Sequence, residues 1–438
     1  MTTILVTTHA ITGHLRYATP LVRELVAEGH DVVWYTGSAF EPLVVGTGAT
    51  FAPMSTRAGA DAGAGDALRS APDRAGGIGG YGTTVLEVFV RPVAAFVADI
   101  DELIDSVAPE VVVSDHSFLA GMFAAERRGL PLVVFSTGAL HVSSVDTAPY
   151  GTGLPPANGP LGRARNRLLY QLVRRVVMRA PQREAARIRA TLGLPPLPGF
   201  FFSWPQQIAD RYLQSSIPQF EYPRRDLPDS VVFCGPMRLE GLDDWTEPPW
   251  WSRIAQARAA GRPVVFVTQG TAATDPEDLL LPTISGLAGE EMQVVATAGG
   301  RDPQEVLPVE QRPPNLVLEP YIPFTEMLPQ VDLMVTNGGF GGVQTALAQG
   351  VPLVVVGDSE DHMENNARVR WSGAGLWLRD ERQTAERMRD AVHTVLARPE
   401  YRARARELMS AYARFPDGAG AAARVVLDAA ATRGRRAA

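Results

Sequence analysis

The sequence predicts an α/β fold built from two doubly wound halves. Strand-like and helix-like segments alternate from Thr3 to Phe135, and the alternation begins again at Pro263. With 438 residues, the chain is too long for one ordinary hydrophobic core. A repeated strand–helix order indicates mostly parallel sheets. Two such halves, joined by a linker, place a ligand cleft between them.

The first half alternates short apolar runs, typical of buried strands, with longer stretches that have a helical period. The predicted strands are Thr3–Thr7, Asp31–Thr36, 48–54, Glu110–Asp115 and Leu130–Phe135. The predicted helices are His14–Glu28, Val85–Val107, Ala120–Arg128 and the basic segment Arg163–Leu192. Residues 58–82 lack any period and predict a loop, and Pro195–Pro228 is expected to be irregular.

The second half repeats this pattern. Its predicted strands are Pro263–Thr268, Gln293–Thr297, Leu316–Glu319, Val331–Val335 and Val351–Val356. Its predicted helices are Pro276–Ala288, Thr384–Ala397, Glu400–Tyr412, Gly420–Arg433 and one that follows the glycines after Val335. We therefore predict a first Rossmann-like domain over 1–230, a second over 231–415, and a C-terminal helix within 416–438 that packs back on the first domain.

The composition is that of a globular protein, with 45% hydrophobic and 20% charged residues, and it excludes several functions. The net charge of −7 gives no indication of nucleic-acid or anionic-membrane binding. All 41 basic residues are arginine, so the chain has no lysine for a P-loop, a Schiff base or a pyridoxal-phosphate anchor.

The single cysteine excludes a disulfide within the chain and any Cys–Cys metal site. Cys234 lies in an apolar run, which predicts a small buried strand residue. No basic segment precedes the first apolar run, and no apolar span is long enough to cross a bilayer. We expect a cytoplasmic protein without a membrane span.

The most informative segment is a glycine-rich turn after the predicted strand Val331–Val335. Its glycines let the backbone approach a ligand, and the following helix directs its N–H groups and positive dipole end at the turn. These features predict a phosphate site at Gly338, Gly339, Gly341 and Gly342. A dinucleotide fingerprint is the alternative, but Gln344 stands where its third glycine is required.

A cluster of polar side chains follows the next predicted strand, at the edge where open α/β sheets bind ligands. The cluster consists of Asp358, Glu360, Asp361, His362 and Asn365. Phosphate donors beside hydroxyl-binding side chains indicate a nucleotide sugar. Thr271 follows another strand in a polar turn, where it can donate to a diphosphate oxygen and also cap the next helix.

Two residues at the carboxyl ends of first-half strands are candidates for proton transfer. His14 begins the helix after the first strand, and Asp115 ends a later strand. If these strands are neighbours, Asp115 accepts from one nitrogen of His14 and stabilises the imidazolium that forms when His14 takes a proton from a hydroxyl. His9 and His116 lie near the same edge, and His141 is a candidate for the acceptor side.

Neither a metal nor another cofactor is predicted. The histidines lack the spacing of a zinc-binding helix. The acidic triplet Asp99-Ile-Asp101 falls within a helical stretch, where we expect it to be a solvated face.

Together, these segments resemble the family 1 nucleotide-sugar glycosyltransferases, which have the GT-B fold of two Rossmann-like domains across a cleft. The resemblance covers nearly the whole chain and is closest to bacterial natural-product enzymes, such as macrolide and aglycone glycosyltransferases. It is carried by Gly13-His14, Pro20-Leu21, Ala27–Val33, Val113–Asp115, Ala124–Pro131, Thr268–Thr271, Pro320–Pro323 and the segment from Thr336 to Asn366.

The resemblance implies an inverting transferase that needs no metal, with His14 as general base and Asp115 orienting it. It also implies that the acceptor binds largely to the N-terminal half. The donor contacts that it implies are Thr271 and the Gly338–Gly342 turn on the diphosphate, Tyr321 and Ile322 by the base, and Asp361 and His362 by the sugar hydroxyls.

Some positions depart from the family's pattern. Asn337 stands where a histidine that donates to a phosphate is common, and its amide donates without a charge. Thr345 stands where a glutamate commonly grips the ribose hydroxyls, and the neighbouring Gln344 is a candidate to replace it. His362 stands where glutamine is usual. We therefore expect weakened ribose recognition, which makes a dTDP-deoxysugar a rival to UDP-glucose.

The sequence thus predicts a glycosyltransferase that moves a hexose from UDP-glucose or a dTDP-sugar to a hydroxyl of a small apolar natural product. Residues 54–90 and 136–205 are expected to form much of the acceptor pocket. Two alternatives stay open: a nucleotide-sugar epimerase of the same fold, and a catalytically silent protein that assists another transferase.

Overall fold

A computed structural model describes residues 1–55, 82–237, 245–269, 275–358 and 362–436. The loop predicted over 58–82 lies outside these residues except for Gly82. Two parallel sheets with many helices form the fold, which confirms the predicted class. No helix in the described ranges is long and apolar enough to cross a membrane.

The first sheet has seven parallel strands in the order β3-β2-β1-β4-β5-β6-β7. They are β1 Thr3–Thr7, β2 Asp31–Thr36, β3 Thr50–Pro53, β4 Val111–Asp115, β5 Leu132–Phe135, β6 Arg211–Gln214 and β7 Val231–Phe233. The strand order reverses between β1 and β4, which pair with Thr7 beside Ser114. Such a reversal opens a crevice at the carboxyl edge of the sheet, where ligands bind.

The second sheet has six parallel strands in the order β10-β9-β8-β11-β12-β13. They are β8 Val264–Thr268, β9 Gln293–Thr297, β10 Leu316–Glu319, β11 Leu333–Thr336, β12 Leu353–Val356 and β13 Gly375–Leu378. Its reversal lies between β8 and β11, which pair with Thr268 beside Thr336. The chain that leaves β11 at this point is the glycine-rich turn.

Helices of very different lengths connect the strands. Those of the first half are α1 Thr12–Ala27, α2 Glu41–Val45, α3 Val93–Val107, α4 Leu119–Arg128, α5 Pro160–Leu172, α6 Arg179–Thr191 and α7 Trp204–Ile208. Those of the second half are α8 Ser252–Ala259, α9 Leu280–Gly286, α10 Pro303–Val306, α11 Phe324–Met327, α12 Phe340–Ala348, α13 His362–Ser372, α14 Ala385–Ala397, α15 Pro399–Tyr412 and α16 Gly418–Arg436.

Several elements differ from the sequence prediction. β6 crosses the stretch expected to be irregular, and β13 was not predicted at all. The predicted helix Val85–Val107 begins with a π-helical segment, Val85–Val90, and the predicted helix Arg163–Leu192 is interrupted by another, Val173–Val177. β7 pairs with β6, so the first sheet runs just beyond the predicted boundary at residue 230.

Apolar side chains cover both faces of each sheet. On β1, Ile4 and Val6 join one buried cluster and Leu5 joins another. The cluster that contains Ile4 continues into the second half and into α16, so one apolar core spans the two halves. α16 packs against α1 and against strands β4 to β6 of the first sheet. The last helix therefore ties the end of the chain to its beginning.

A buried group of charged side chains also joins the halves. Arg368 on α13 donates to Glu221 Oε2 at 2.8 Å and to Glu364 Oε2 at 2.9 Å. Oε1 of Glu364 accepts the backbone N–H groups of residues 151–153 at 2.9, 3.1 and 3.0 Å. Burial alone lowers the pKa of Arg368, but the charges of Glu221 and Glu364 raise it above its ordinary value. The guanidinium stays charged and fixes α13 against the first half.

Candidate active site

The carboxyl edge of the first sheet brings His14 and Asp115 together. β1 ends at Thr7 and α1 begins at Thr12, which puts His14 in the first turn of α1. The neighbouring strand β4 ends at Asp115. His14 Nδ1 and Asp115 Oδ2 are hydrogen bonded. The two candidates for proton transfer are thus in direct contact, while their catalytic role stays a prediction.

Asp115 is fully buried, and both of its carboxylate oxygens accept hydrogen bonds. Oδ1 accepts from the backbone N–H of Ser117 at 2.9 Å and from its hydroxyl at 3.1 Å. Burial raises the pKa of Asp115, but the charge and the hydrogen bond of His14 outweigh burial and hold it below its ordinary value. A carboxylate that accepts Nδ1–H leaves Nε2 as the basic nitrogen of neutral His14. The His14 side chain is 19% exposed, so a ligand can reach the ring.

Three further histidines surround this pair. His9 Nε2 lies 3.3 Å from the carbonyl oxygen of Ser117, and burial lowers the pKa of His9 to about 4. The ring of His116 lies nearly parallel to that of His14, with centroids 6.1 Å apart, and 4.8 Å from that of His141. Burial lowers the pKa of His141 well below its ordinary value. His9 and His141 are therefore neutral near pH 7.

Aromatic side chains extend this group into an apolar wall. The Phe89 ring lies 4.9 Å from His9, and the rings of Tyr150 and Phe202 lie 5.6 and 6.2 Å from His141. All three are half-buried. They belong to the ranges expected to bind the acceptor, so the wall can hold an apolar ligand beside His14.

The carboxyl edge of the second sheet carries the glycine-rich turn. β11 ends at Thr336, and α12 begins at Phe340 without a side-chain cap on its first N–H groups. Gly338 has a φ of +95°, and a Cβ there would lie 1.7 Å from Asn366 Oδ1, so only glycine fits. An uncapped helix start behind a glycine turn is the arrangement that binds phosphate.

Two asparagines on α13 hold the turn from behind. Asn365 Nδ2 donates to Gly338 O at 3.0 Å. Asn366 Nδ2 donates to Asn337 O at 3.2 Å and to Gly357 O at 3.0 Å. Both asparagines are fully buried. The sequence grouped Asn365 with the hydroxyl-binding cluster, whereas the structure shows its amide donating to the backbone of the turn. Asn366 was not singled out.

The predicted contacts to the nucleoside base have different exposures. Tyr321 is 43% exposed, whereas the Ile322 side chain is 1% exposed and belongs to the apolar core. Ile322 therefore has only its backbone to offer a ligand. The ring of Phe324 would lie 3.1 Å from a Cβ at Gly342, which sets this loop beside the glycine turn.

Other predicted donor residues are placed only in part. His362 begins α13 and is partly exposed. Gly339 precedes Phe340, while Gly341 and Gly342 lie in the first turn of α12. Thr271 and Asp361 lie outside the described residues.

Asn337, Thr345 and the neighbouring Gln344 have clear hydrogen-bond partners. Thr336 Oγ1 donates to Asn337 Oδ1 at 3.3 Å, which leaves the Asn337 amide N–H groups as the donors. The Thr345 hydroxyl donates to Gly341 O at 2.8 Å. Gln344 is 1% exposed, and its Oε1 accepts from Ser216 at 3.2 Å and from Tyr412. The side chain of Gln344 is thus held in the buried contact between the halves and not at a ribose.

One stacked pair of rings brings the two sheet edges together. Tyr17, three residues after His14 on α1, stacks on Phe340 at the start of α12, with centroids 5.8 Å apart. The N-terminal part of α1 therefore lies next to the first turn of α12. Among the described residues, no group of three or more His, Cys, Asp or Glu side chains is arranged to hold a metal ion.

Comparison with known proteins identifies the family. The family model of the erythromycin biosynthesis protein CIII-like C-terminal domain matches residues 287–426. The 4'-demethylrebeccamycin synthase of Lentzea aerocolonigenes is 43% identical over 412 residues, which cover 94% of this chain and 95% of that protein. The chain belongs to the family 1 natural-product glycosyltransferases. It is an enzyme that uses nucleotide sugars.

Solved structures show that this glycosyltransferase has the GT-B fold. CalG4, the calicheamicin glycosyltransferase, matches with a TM-score of 0.73 and 21% identity over 97% of both chains. The spinosyn rhamnosyltransferase SpnG, complexed with thymidine diphosphate, matches with a TM-score of 0.65 and 20% identity over 95% of this chain and 98% of that chain. At these identities the likeness supports the fold.

Sequence reasoning missed two sets of positioning residues. An aspartate often accepts a hydrogen bond from the backbone N–H two residues later, and the Asp115-x-Ser117 spacing is typical of such a turn. The backbone N–H of Ser117 donates to Asp115 in this way. The Glu364–Arg368 pair has the spacing of two side chains on one helix face. The helix itself was not predicted, so this second signal was not available.

Proposed function

We propose that this glycosyltransferase moves a hexose by a single displacement that inverts the anomeric carbon, with His14 as general base. The carrying observation is the His14–Asp115 hydrogen bond at the β1–β4 crevice. His14 lies on α1, and α1 contacts the start of α12 through Tyr17 and Phe340.

The proton follows a short path in this reaction. Nε2 of His14 takes the proton of an acceptor hydroxyl while that oxygen bonds to the anomeric carbon of the donor. Asp115, ionised and buried, stabilises the imidazolium that forms. The bond from the anomeric carbon to the diphosphate oxygen breaks, and its electron pair leaves with the nucleotide diphosphate. Because the oxygen attacks opposite the leaving group, the configuration inverts.

The leaving diphosphate is stabilised by the glycine turn, without a metal. The uncapped N–H groups of α12, its positive dipole end and the Asn337 amide are donors fixed in advance of the reaction. Thr271 is proposed as a further donor to the same diphosphate. Asn365 and Asn366 hold the turn's carbonyl groups, which keeps these donors in place.

We propose a thymidine-diphosphate sugar as the better donor, with UDP-glucose as the second. Two observations support this choice. Thr345 binds its own helix backbone and Gln344 is buried elsewhere, so α12 offers no side chain to grip a ribose cis-diol. The SpnG structure was solved with thymidine diphosphate. A deoxyribose has no cis-diol, so it does not need such a side chain at this position.

The acceptor is proposed to be a small, largely apolar natural product with a hydroxyl group. It would lie against the aromatic wall of Phe89, Tyr150 and Phe202, which continues from His14 through His116 and His141. The cytoplasmic location expected from the sequence stays a prediction.

The test is an assay with UDP-glucose and dTDP-glucose against a panel of phenolic aglycones, read by mass spectrometry and by NMR of the anomeric proton. We expect β-linked product from both α-linked donors, faster turnover of dTDP-glucose, and no effect of EDTA. An α-linked product contradicts the single displacement. A strong UDP preference contradicts the donor choice, and loss of activity in EDTA contradicts metal independence. Donor conversion without product indicates an epimerase.

A further inference from the structure

The basic segment of the first half presents an apolar stripe that the proposed reaction does not use. α5 continues through the π-helical Val173–Val177 toward α6. Ten large apolar side chains are exposed among the described residues, and four of them lie in this segment. They are Leu161, Leu168, Leu172 and Val176, with exposures of 88%, 72%, 52% and 65%.

These four side chains occupy one face of the segment. Steps of seven, four and four residues separate them, which is the spacing of a single helical stripe. The opposite face packs on the protein: Asn166 is fully buried and donates to Val145 O at 3.0 Å, and the Tyr170 hydroxyl accepts from Ser144 N at 3.3 Å. The stripe therefore faces away from the core.

Positive charge accompanies the stripe. Residues 160–183 contain seven arginines and no acidic residue, although the whole chain has a net charge of −7. Five of these arginines are exposed: Arg167, Arg174, Arg175, Arg179 and Arg183. Arg179 and Arg183 continue the helical spacing beyond Val176. The net charge of the whole chain gave no indication of affinity for anionic surfaces because it conceals this local cluster of positive charge.

We propose that residues 160–183 bind an anionic lipid surface, with the segment lying in the plane of the membrane interface. The apolar stripe would enter the boundary between headgroups and acyl chains, while the arginines meet lipid phosphates. An apolar stripe accompanied by arginines is the pattern of interfacial helices. Outside residues 160–183 the chain carries a net negative charge, which favours this segment as the face that meets anionic lipids.

The test is sedimentation of the full chain with vesicles of phosphatidylcholine alone or mixed with phosphatidylglycerol. We expect binding to the anionic vesicles only, and loss of that binding near 1 M salt, where the screening length falls to about 3 Å. Each arginine near such a surface contributes about fivefold to partitioning, so the double variant Arg174→Glu/Arg175→Glu should lose at least about 25-fold.

A second variant tests the apolar stripe separately. Leu168→Asp/Leu172→Asp should abolish most of the binding, because it puts negative charge on the face that would contact the acyl chains. Matched controls lie on the second half: Arg389→Glu/Arg398→Glu for charge and Val309→Asp, at a site 64% exposed, for the apolar change. Both controls should bind like the wild type, and circular dichroism confirms that all variants are folded.

Several outcomes overturn the proposal. They are no binding to anionic vesicles, equal binding to neutral vesicles, and equal losses in the stripe variants and the controls. A dimer in analytical ultracentrifugation that Leu168→Asp/Leu172→Asp dissociates, without any vesicle binding, would instead assign the stripe to a second copy of the chain.

Discussion

At the edge of the first sheet the functional groups are titratable side chains, whereas at the edge of the second sheet they are backbone N–H groups and side-chain amides. His14 and Asp115 form a hydrogen-bonded pair with buried histidines around it. The glycine turn instead combines an uncapped helix start with Asn337, Asn365 and Asn366.

The difference follows from what each edge does in the proposed reaction. Moving a proton requires a group that changes its charge near neutral pH, and the environment must set which nitrogen is basic. Holding a leaving diphosphate requires only fixed dipoles, which need no reorganisation as charge develops. The first edge is therefore sensitive to single charges, and the second to backbone geometry.

The largest expected effect is on the first edge. His14→Ala removes the proposed base, and we expect transfer to fall by about 10²- to 10⁴-fold with little change in the KM for the donor. Steady-state kinetics with a phenolic aglycone measure this. His393→Ala, at an exposed histidine of the second half, is the control. Activity near that of the wild type would remove His14 from the mechanism.

We also expect the first edge to make the stability of the protein sensitive to acid. The folded pKa of His9 is about 4 because burial disfavours the charged ring, while its ordinary value is 6.5. Between these values the unfolded chain binds a proton that the folded protein does not. The free energy of unfolding should therefore fall as the pH drops from about 6.5 to 4, by up to about 3 kcal/mol from His9.

Urea unfolding at several pH values measures this dependence. His9→Gln keeps a donor toward Ser117 O and cannot titrate, so its stability should fall less steeply than that of the wild type over the same range. Parallel pH curves for the two proteins would show that His9 is not the source of the acid sensitivity.

Asp115→Asn tests orientation without removing the base. The neutral amide cannot stabilise the imidazolium by its charge or fix the Nδ1–H tautomer, so kcat should fall by about 10²- to 10⁴-fold and the acid limb of the pH profile should move. Ser117→Ala, which removes one hydroxyl donor to Asp115, is the milder comparison and should cost only a few-fold. An unchanged pH profile in Asp115→Asn would contradict the orienting role.

The second edge should respond to backbone changes. Gly338→Ala places a Cβ against Asn366 at a φ of +95°, and the φ alone should cost about 1–2 kcal/mol of stability. Gly339→Ala is the matched control, since its φ is −55° and no atom lies within 4 Å of the added Cβ. Thermal unfolding of the two variants distinguishes them. Equal stability would mean that the turn is not held as described.

The smallest expected effect concerns donor choice. Thr345→Glu restores the carboxylate that the family commonly has, and we expect the ratio of UDP-glucose to dTDP-glucose turnover to rise by about tenfold, the value of one charged hydrogen bond. Thr345→Gln should change the ratio less. No change in Thr345→Glu would indicate that Thr345 does not lie at the ribose.

The sequence was sufficient for the alternation of strands and helices and for the His14–Asp115 contact, because parallel strands end at one edge and the apolar runs were long. It was insufficient for β6 and β13, which are four residues each. In β6 only Tyr212 and Leu213 are apolar, too few to establish a period. Missing α13 had a larger consequence, since Asn365, Asn366, Glu364 and Arg368 all lie on it.

Long-range partners were beyond sequence reasoning for a different reason. Gln344 was a candidate for the ribose because it follows the glycines, but its partners Ser216 and Tyr412 are 128 and 68 residues away. Arg368 similarly meets Glu221 across 147 residues. Only the packing of the two halves decides such contacts.

The most direct test of His14 as the base varies the acceptor. With wild type and His14→Ala, the transfer rate is measured for a series of phenols whose hydroxyl pKa falls from near that of phenol to below the assay pH. A phenol that is already ionised needs no base, so we predict a large defect in His14→Ala for the least acidic phenols that shrinks toward none for the most acidic. A defect of constant size across the series would contradict proton removal by His14.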